Sequence, residues 1–343
     1  MRLNTFIRFV GPSVGLMVLL MALPLVVTFY LSVRNCALDM EVVTVKETTP
    51  FGTQEVVTQR AKLDASGNAV KTCGFVGLDY FKKVLGIDGD GSSSVAIDTP
   101  PAAAGQNDDA ARLKNAQSTE FIGALKFTLL YTLITMPFSI VLGFIVALAV
   151  NTTSPRWRGF LIAVSLMPTI ITPIVGGLAI KWLFRDNGLV PYLLSHVGIS
   201  VYWMAEAWSA RTLVILYGIW HSAPFAFIVL YAGLQSVPQD SLEAATIDGA
   251  NNWQKLRYVT LPHLAPLFVF IALINLMDAY RVFEPVVVLT QGAFTTTVQY
   301  LTYAILTQEN NPYKASAAAV LTTLGIAVLI LPLLVKTWRE RKG

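Results

Sequence analysis

Six stretches of this chain are almost purely apolar: residues 9–32, 121–150, 160–184, 210–234, 267–289 and 315–335. Each is bounded by charge, proline or a polar cluster. A bilayer core takes roughly 20 apolar residues of helix, and longer runs fit by tilting. Backbone groups cannot stay unpaired in lipid, so runs of this length read as membrane-spanning helices. Pro24, Pro137, Pro168, Pro173, Pro224 and Pro285 fall inside them, and neighbouring helices can satisfy the carbonyls they free. The first run follows Arg2 and Arg8 but is too long for a signal peptide. No small-x-small site follows it, so it is expected to stay as the first helix. The pattern predicts an all-α polytopic membrane protein with six transmembrane helices.

Between the first two runs the pattern changes. Residues 40–47 and 54–63 alternate polar and β-branched positions, as short strands do. Ser66-Gly67-Asn68 signals a turn before a third strand at 69–72. Residues 77–85 carry an apolar face at helical spacing, and 88–117, rich in Gly, Ser, Ala, Pro and Asp, read as a flexible tether. The chain therefore divides into residues 1–34 (N-terminus and first helix), a small α/β insert at 35–119, a core of helices two to six at 120–337 and a basic tail at 338–343.

Charge orients the chain. Ten Lys and Arg lie in the loops and termini on one side: Arg2, Arg8, Arg156, Arg158, Lys255, Arg257, Lys336, Arg339, Arg341 and Lys342. The short loops on the other side hold only Arg185, Arg211 and Lys314, the long segment 34–120 being exempt from the count for its length. Short loops rich in Lys and Arg stay inside, so both termini are expected in the cytoplasm and the insert outside, the chain spanning a cytoplasmic membrane. The chain's two cysteines, Cys36 and Cys73, both fall in the insert. An oxidising compartment allows them to pair and staple the β unit to the first helix; two free small residues are the alternative.

Composition removes several functions. Charged residues make up 13%, hydrophobic residues 54%, and mean hydropathy is +0.58; soluble domains carry about 25% charge. An ordinary soluble enzyme and a disordered chain are excluded. A net charge of +4 without a basic stripe argues against nucleic acid. There is no phosphate loop, no G-x-G-x-x-G, no G-x-S-x-G and no H-E-x-x-H, and His196, His221 and His263 are scattered. No catalytic residue, metal site or cofactor of this chain's own is expected, so energy for uphill transport would come from elsewhere.

One loop carries a message. Residues 239–248 are helix formers that Asp240 or Ser241 can cap, and Gly249 stops them. A second amphipathic piece follows at 251–260, with Trp253, Leu256 and Val259 at helical spacing, before Leu261-Pro262 opens the next helix. Within this loop, Glu243-Ala244-Ala245, three residues, Gly249, nine residues, Val259, one residue and Leu261-Pro262 resemble the signature of the membrane subunits of binding-protein-dependent ABC importers. Only Val259 departs, standing for Ile. Trp220, Pro224-Phe225, the stretch 232–238 and Asp248-Gly249-Ala250 resemble the maltose-type, carbohydrate-importing branch. The resemblance spans about residues 77–336 and implies a permease for a sugar or polyol, not itself an enzyme. It implies that loop 236–265 is a coupling helix docked in a separate ATPase, with Glu243 meeting a basic residue, Ala244 and Ala245 allowing close approach, and Asp248 and Gly249 in the turn. The implied partners are a second permease subunit in a heterodimer, two ATPase subunits that hold ATP and Mg, and an extracytoplasmic solute-binding protein, besides membrane lipid.

Polar groups near the membrane midplane are costly unless useful. Gly218, His221, Ser222 and Phe225 share a face of the fourth helix; Asn275, Asp278 and Arg281 recur at i, i+3, i+6 on the fifth, and Glu284 continues the series. The positions that touch sugar in maltose-type permeases fall on the first set and around 278–282. Asp278, Asn275, His221 and Ser222 offer hydroxyl partners, and Phe225 or Tyr280 an aromatic platform. Asp278 and Arg281 could instead form a structural i,i+3 ion pair, or Arg281 could greet an anionic solute of glycerol-phosphate or sulfonated-sugar type. A passive channel is the alternative from another class, but it has no use for a coupling loop. After the fifth helix, where the family often has Gly-Gly-Pro, this chain has Gln291-Gly292-Ala293.

Overall fold

The computed structural model describes residues 3–38, 40–49, 52–61, 71–87, 107–198 and 201–340. They form two compact units, one from residues 1–118 with 305–321 and one from 119–304 with 322–343.

The first unit begins with α1 (Leu3–Ser32), apolar on every face; its most apolar stretch is wholly unburied within the chain. Strand β1 (Arg34–Leu38) follows at once. Strands β2 (Met40–Thr49) and β3 (Gly52–Ala61) form an antiparallel hairpin, and β4 (Lys71–Phe75) returns antiparallel to β1. Cys36 and Cys73 are register partners across β1 and β4 and are joined by a disulfide. Strand β1 was not expected, since Arg-Asn-Cys-Ala-Leu does not alternate; its pairing partner and the disulfide specify it. The turn at 66–68 lies outside the described residues, as do residues 69–70 of the expected third strand. Helix α2 (Asp79–Leu85) buries Tyr80 and Val84, and Tyr80 stacks on Tyr313 at 6.4 Å.

Much of the expected tether lies outside the described residues, but from Asn107 the chain is helical rather than a flexible link. Ala, Arg, Leu and Lys dominate there, and all favour helix. Helix α3 (Asn107–Thr152) continues without a break through the second apolar run.

The rest of the helical body comprises α4 (Pro155–Ile170), α5 (Pro173–Phe184), α6 (Leu189–Ser195), α7 (Ala207–Gln235), α8 (Gln239–Ile247), α9 (Asn252–Lys255), α10 (Leu261–Tyr280), α11 (Val298–Thr307) and α12 (Pro312–Glu340). Five stretches, 10–32, 120–152, 207–235, 252–280 and 312–332, are long and apolar enough to cross a membrane. Helix α7 is the central one: 50% of its apolar window is buried inside the chain, against at most 28% for the others. It packs on α3, α4 and α10 around a core that includes Ala147, Phe227, Leu230, Leu264 and Ile271.

Two expected spans are corrected. The third apolar run is not one straight helix: α4 and the segment Pro173–Ser195 meet at 94°. Proline forces its predecessor out of helical geometry, and Thr172, before Pro173, sits at φ −59, ψ 141. The fifth run also fails to continue, because α10 ends at Tyr280 and the chain resumes as a π-helical turn at Val286–Thr290. Glu284 is therefore not on the helical series of Asn275 and Asp278.

Candidate functional site

The second unit encloses a cavity of about 570 Å³. Helix α3 supplies Tyr131, Thr135 and Ser139; the α4–α5 bend supplies Thr169 and Pro173; α7 supplies Tyr217, Gly218, His221, Ser222 and Phe225. Helix α10 adds Asn275 and Asp278, and the segment after it adds Arg281 and Glu284, with Gln299 from α11. Seven of the eight residues expected at the solute site thus converge. Tyr280 does not: it is 2% exposed, and its hydroxyl lies against Gly325. Phe225 is the aromatic of that pair which faces the cavity.

Five polar side chains of the cavity wall, Ser139, Tyr217, His221, Ser222 and Asn275, are engaged by the fold. A helix leaves its last carbonyls without intrahelical donors, and the end of α4 at Ile170 exposes that of Pro168 at the bend. His221 Nδ1 bonds the Pro168 carbonyl at 2.9 Å, and the Tyr217 hydroxyl donates to the Pro173 carbonyl at 2.8 Å. The two rings stack, 6° from parallel. Asn275 Nδ2 donates to Ser139 Oγ at 3.0 Å, and Ser222 Oγ to the Gly218 carbonyl at 2.7 Å. Gly218 is where Tyr131 packs: a Cβ there would collide with the Tyr131 hydroxyl.

The ion pair weighed for Asp278 and Arg281 is absent; among the described residues the ion pair within 4 Å is Lys314–Glu309, at 2.8 Å. Arg281 has left helical geometry (φ −93, ψ 17), so i,i+3 spacing no longer aligns it with Asp278. The segment beyond is held from three sides. Lys181 Nζ donates to the Val288 carbonyl at 2.8 Å, Thr297 Oγ1 to the Val282 carbonyl at 2.9 Å, and the Val298 amide to Thr128 Oγ1 at 3.0 Å. Gln291 and Gly292, where Gly-Gly-Pro is common, take φ of 52 and 82.

Sequence reasoning missed Tyr131, Tyr217 and Gln299 as cavity residues. A signal for the first existed: Thr128, Thr132, Thr135 and Ser139 repeat at three- and four-residue spacing on α3, and all are buried. A stripe of hydroxyls inside an apolar helix marks the face turned to protein rather than lipid.

The second feature is an elbow between α7 and α10. Helix α8 buries none of its residues within the chain; Glu243, Ala244 and Asp248 are exposed and Ala245 half-buried. Neither Asp240 nor Ser241 caps it; Pro238 occupies the cap position without a side-chain bond. Its C-terminus is a Schellman turn: Gly249 sits at φ 78, its amide bonds the Thr246 carbonyl at 3.1 Å, and the Ala250 amide bonds the Ala245 carbonyl at 2.9 Å. Asn251 and Gln254 then form a reciprocal capping box at 2.7 and 2.8 Å. The second piece is no separate helix, for it runs through a π turn at Leu256–Thr260 into α10. Pro262, lacking an N–H, cannot extend the ordinary ladder there. Leu261 is half-buried and Pro262 exposed. Large apolar side chains stand out from the elbow: Ile247 is 86% exposed and Trp253 64%.

Residues 117–341 match the family described as binding-protein-dependent transport system inner membrane component. A probable ABC transporter permease of Sinorhizobium fredii is 28% identical over 307 residues, covering 88% of this chain and 80% of that protein. The trehalose/maltose transport system permease of Thermococcus litoralis is 31% identical over 196 residues, covering 56% and 66%. Among solved structures, a bacterial ABC transporter that imports the acidic polysaccharide alginate matches with a TM-score of 0.60 at 26% identity, covering 68% of this chain and 83% of that one. The family match alone takes in well over half of the sequence, so this multi-pass membrane protein belongs to the permease subunits of binding-protein-dependent ABC importers.

Proposed function

We propose that the chain is one half of the translocation pathway of an ATP-driven importer of a sugar or polyol. The observation that carries this reading is the elbow: a helix stopped by a Schellman turn, with Glu243, Ala244 and Ile247 exposed and none of its residues buried within the described chain. Such a small, flat helical face suits a groove in another protein. In this reading Glu243 meets a basic group of a separate ATPase, Ala244 and Ala245 let the helix lie close, and Asp248, Gly249, Leu261 and Pro262 fix the turn and its return to the membrane. Two ATPase subunits hold ATP and Mg; a second permease subunit completes the pathway; a solute-binding protein delivers solute from outside. The sugar class draws on relatives named for trehalose/maltose and arabinooligosaccharides, and on a cavity rich in hydroxyl partners.

The same reading counts the bent pair α4–α5 as one span, giving six. It keeps both termini in the cytoplasm, on the side rich in Lys and Arg, and the insert 35–119 outside, where a disulfide is stable. Residues 120–337 form the transport core. A passive channel accounts for none of the elbow's features.

Glu243→Lys tests it. Reversing the charge should leave the chain inserted at normal levels and abolish uptake and solute-stimulated ATP hydrolysis. Near-normal uptake at equal membrane level would overturn the coupling assignment.

A further inference from the structure

We infer that the cavity selects by charge, admitting neutral or amine-bearing glycosides and turning away uronate, phosphorylated and sulfonated ones. This rests on the sugar reading above and adds the class of sugar. The argument begins from which polar groups the fold leaves over. His221, Tyr217, Ser222 and Asn275 are bonded to the protein itself. Asp278, Glu284, Arg281 and Gln299 line the cavity and make no hydrogen bond or ion pair among the described residues. The charged groups are two carboxylates against one guanidinium.

The rest of the wall does not offset that excess. His221 gives its Nδ1 proton to the Pro168 carbonyl, so that donor is not offered to a solute. Lys181, the other cation near this region, gives its ammonium to the Val288 carbonyl and does not line the cavity. A sugar brings hydroxyl donors, which carboxylates accept in pairs. A uronate or sulfonate brings acceptors only at its charged end, and these would face Asp278 and Glu284 with Arg281 as their single counter-charge. Arg281 taken alone in the sequence suggested an anionic solute. Its neighbours in space reverse that suggestion.

The test reads the charge of the cavity directly. The chain's two cysteines are joined to each other, so Ser222→Cys introduces a single free thiol on the cavity wall. In membrane vesicles holding the assembled transporter, its reaction rate is compared for trimethylammonium-ethyl and sulfonatoethyl methanethiosulfonate. A cleft of one sign raises the arrival of opposite charge by roughly tenfold or more. The cationic reagent should therefore be favoured by at least about fivefold beyond the ratio seen with a free small thiol. Asp278→Asn with Glu284→Gln leaves Arg281 alone and should tip the ratio toward the anionic reagent, and Arg281→Gln should enlarge the cationic preference. Gln299→Cys gives a second reporter on another wall should Ser222→Cys fail to reach the membrane. A preference for the anionic reagent with the carboxylates intact, or a ratio that ignores the carboxylate substitutions, overturns the inference. The two readings fail separately. If labelling is charge-selective but neither maltose nor trehalose is imported or slows it, the sugar reading loses support while charge selection stands. If a neutral sugar is imported and both reagents react alike, charge selection alone falls.

Discussion

The elbow and the cavity hold their shapes by opposite means. In the elbow the bonds that set the turns are local: Ala250 to Ala245, Gly249 to Thr246, Asn251 with Gln254; one longer bond, between Ser236 Oγ and His263 Nε2 at 3.2 Å, ties its two ends. Several large side chains, Ile247, Trp253 and Tyr258, are left exposed. In the cavity the defining bonds join residues 44, 53 and 136 positions apart: Tyr217 to Pro173, His221 to Pro168, Asn275 to Ser139. There the side chains are the structure. A region held by its own backbone can offer its side chains to another chain, whereas a region held by side chains keeps only a few for a solute. Damage to the cavity wall should therefore appear as instability, and damage to the elbow as lost coupling in an intact permease.

The sharpest test of that contrast is Gly218→Val. The new side chain meets the Tyr131 hydroxyl and ring on the cavity wall, and overpacking of this kind costs about 1–3 kcal/mol. Accumulation in the membrane and thermal stability in detergent should both fall, and adding Tyr131→Phe should recover part of each by removing the colliding oxygen. Next comes His221→Phe, which strands the Pro168 carbonyl at the α4–α5 bend at about 1–3 kcal/mol. Protease sensitivity near residues 168–173 should rise, and Tyr217→Phe should add to it through Pro173. In the elbow, Gly249→Val forces a β-branched residue to φ near 78, costing about 1–2 kcal/mol. That cost falls on a peripheral turn, so permease level should hold while uptake and ATPase stimulation are lost. Equal losses of membrane level in Gly218→Val and Gly249→Val would remove the distinction between the two regions.

The same contrast explains what could be read in the sequence. The elbow was legible down to its turn because glycine at a left-handed position leaves a local mark. The apolar runs were legible as membrane segments, yet two breaks within them were not. Prolines were expected to be absorbed by the helix around Pro173, but restriction of Thr172 bent the chain by 94°. The end of α10 at Tyr280 has no comparable local signal: the residues that hold the following segment, Lys181, Thr128 and Thr297, are remote in sequence or across the turn. That break takes Arg281 off the helical face of Asp278, and the two form no ion pair within 4 Å. Tyr280, still within α10, lies in the core against Gly325, although the sequence reading had offered it to a sugar. Gln299 was invisible for the same reason, being brought in by a fold-back that periodicity does not encode.

The smallest expected effect probes the elbow's second half. Asn251 accepts from the Gln254 amide, and Gln254 Oε1 accepts from the Asn251 amide. Asn251→Ala removes the bond to Asn251 Oδ1, which for a helix N-terminus costs about 1 kcal/mol, and spares the one from the backbone amide of residue 251 to Gln254. If the elbow's turns are held by local bonds, that loss should fray the start of the helix leading into α10 and nothing else. Uptake should drop severalfold at most, with unchanged membrane level and unchanged reactivity of a Ser222→Cys reporter in the cavity. Asn251→Asp keeps an acceptor at the cap and should behave like the unsubstituted chain; Gln254→Ala, which spares the Asn251 side-chain bond, should fall between them. The order Asp, then Gln254→Ala, then Ala ties coupling to the cap. A cavity reporter that changed with Asn251→Ala would show instead that the elbow and the cavity wall share one set of supports, and the comparison drawn between them would fail at its mildest perturbation.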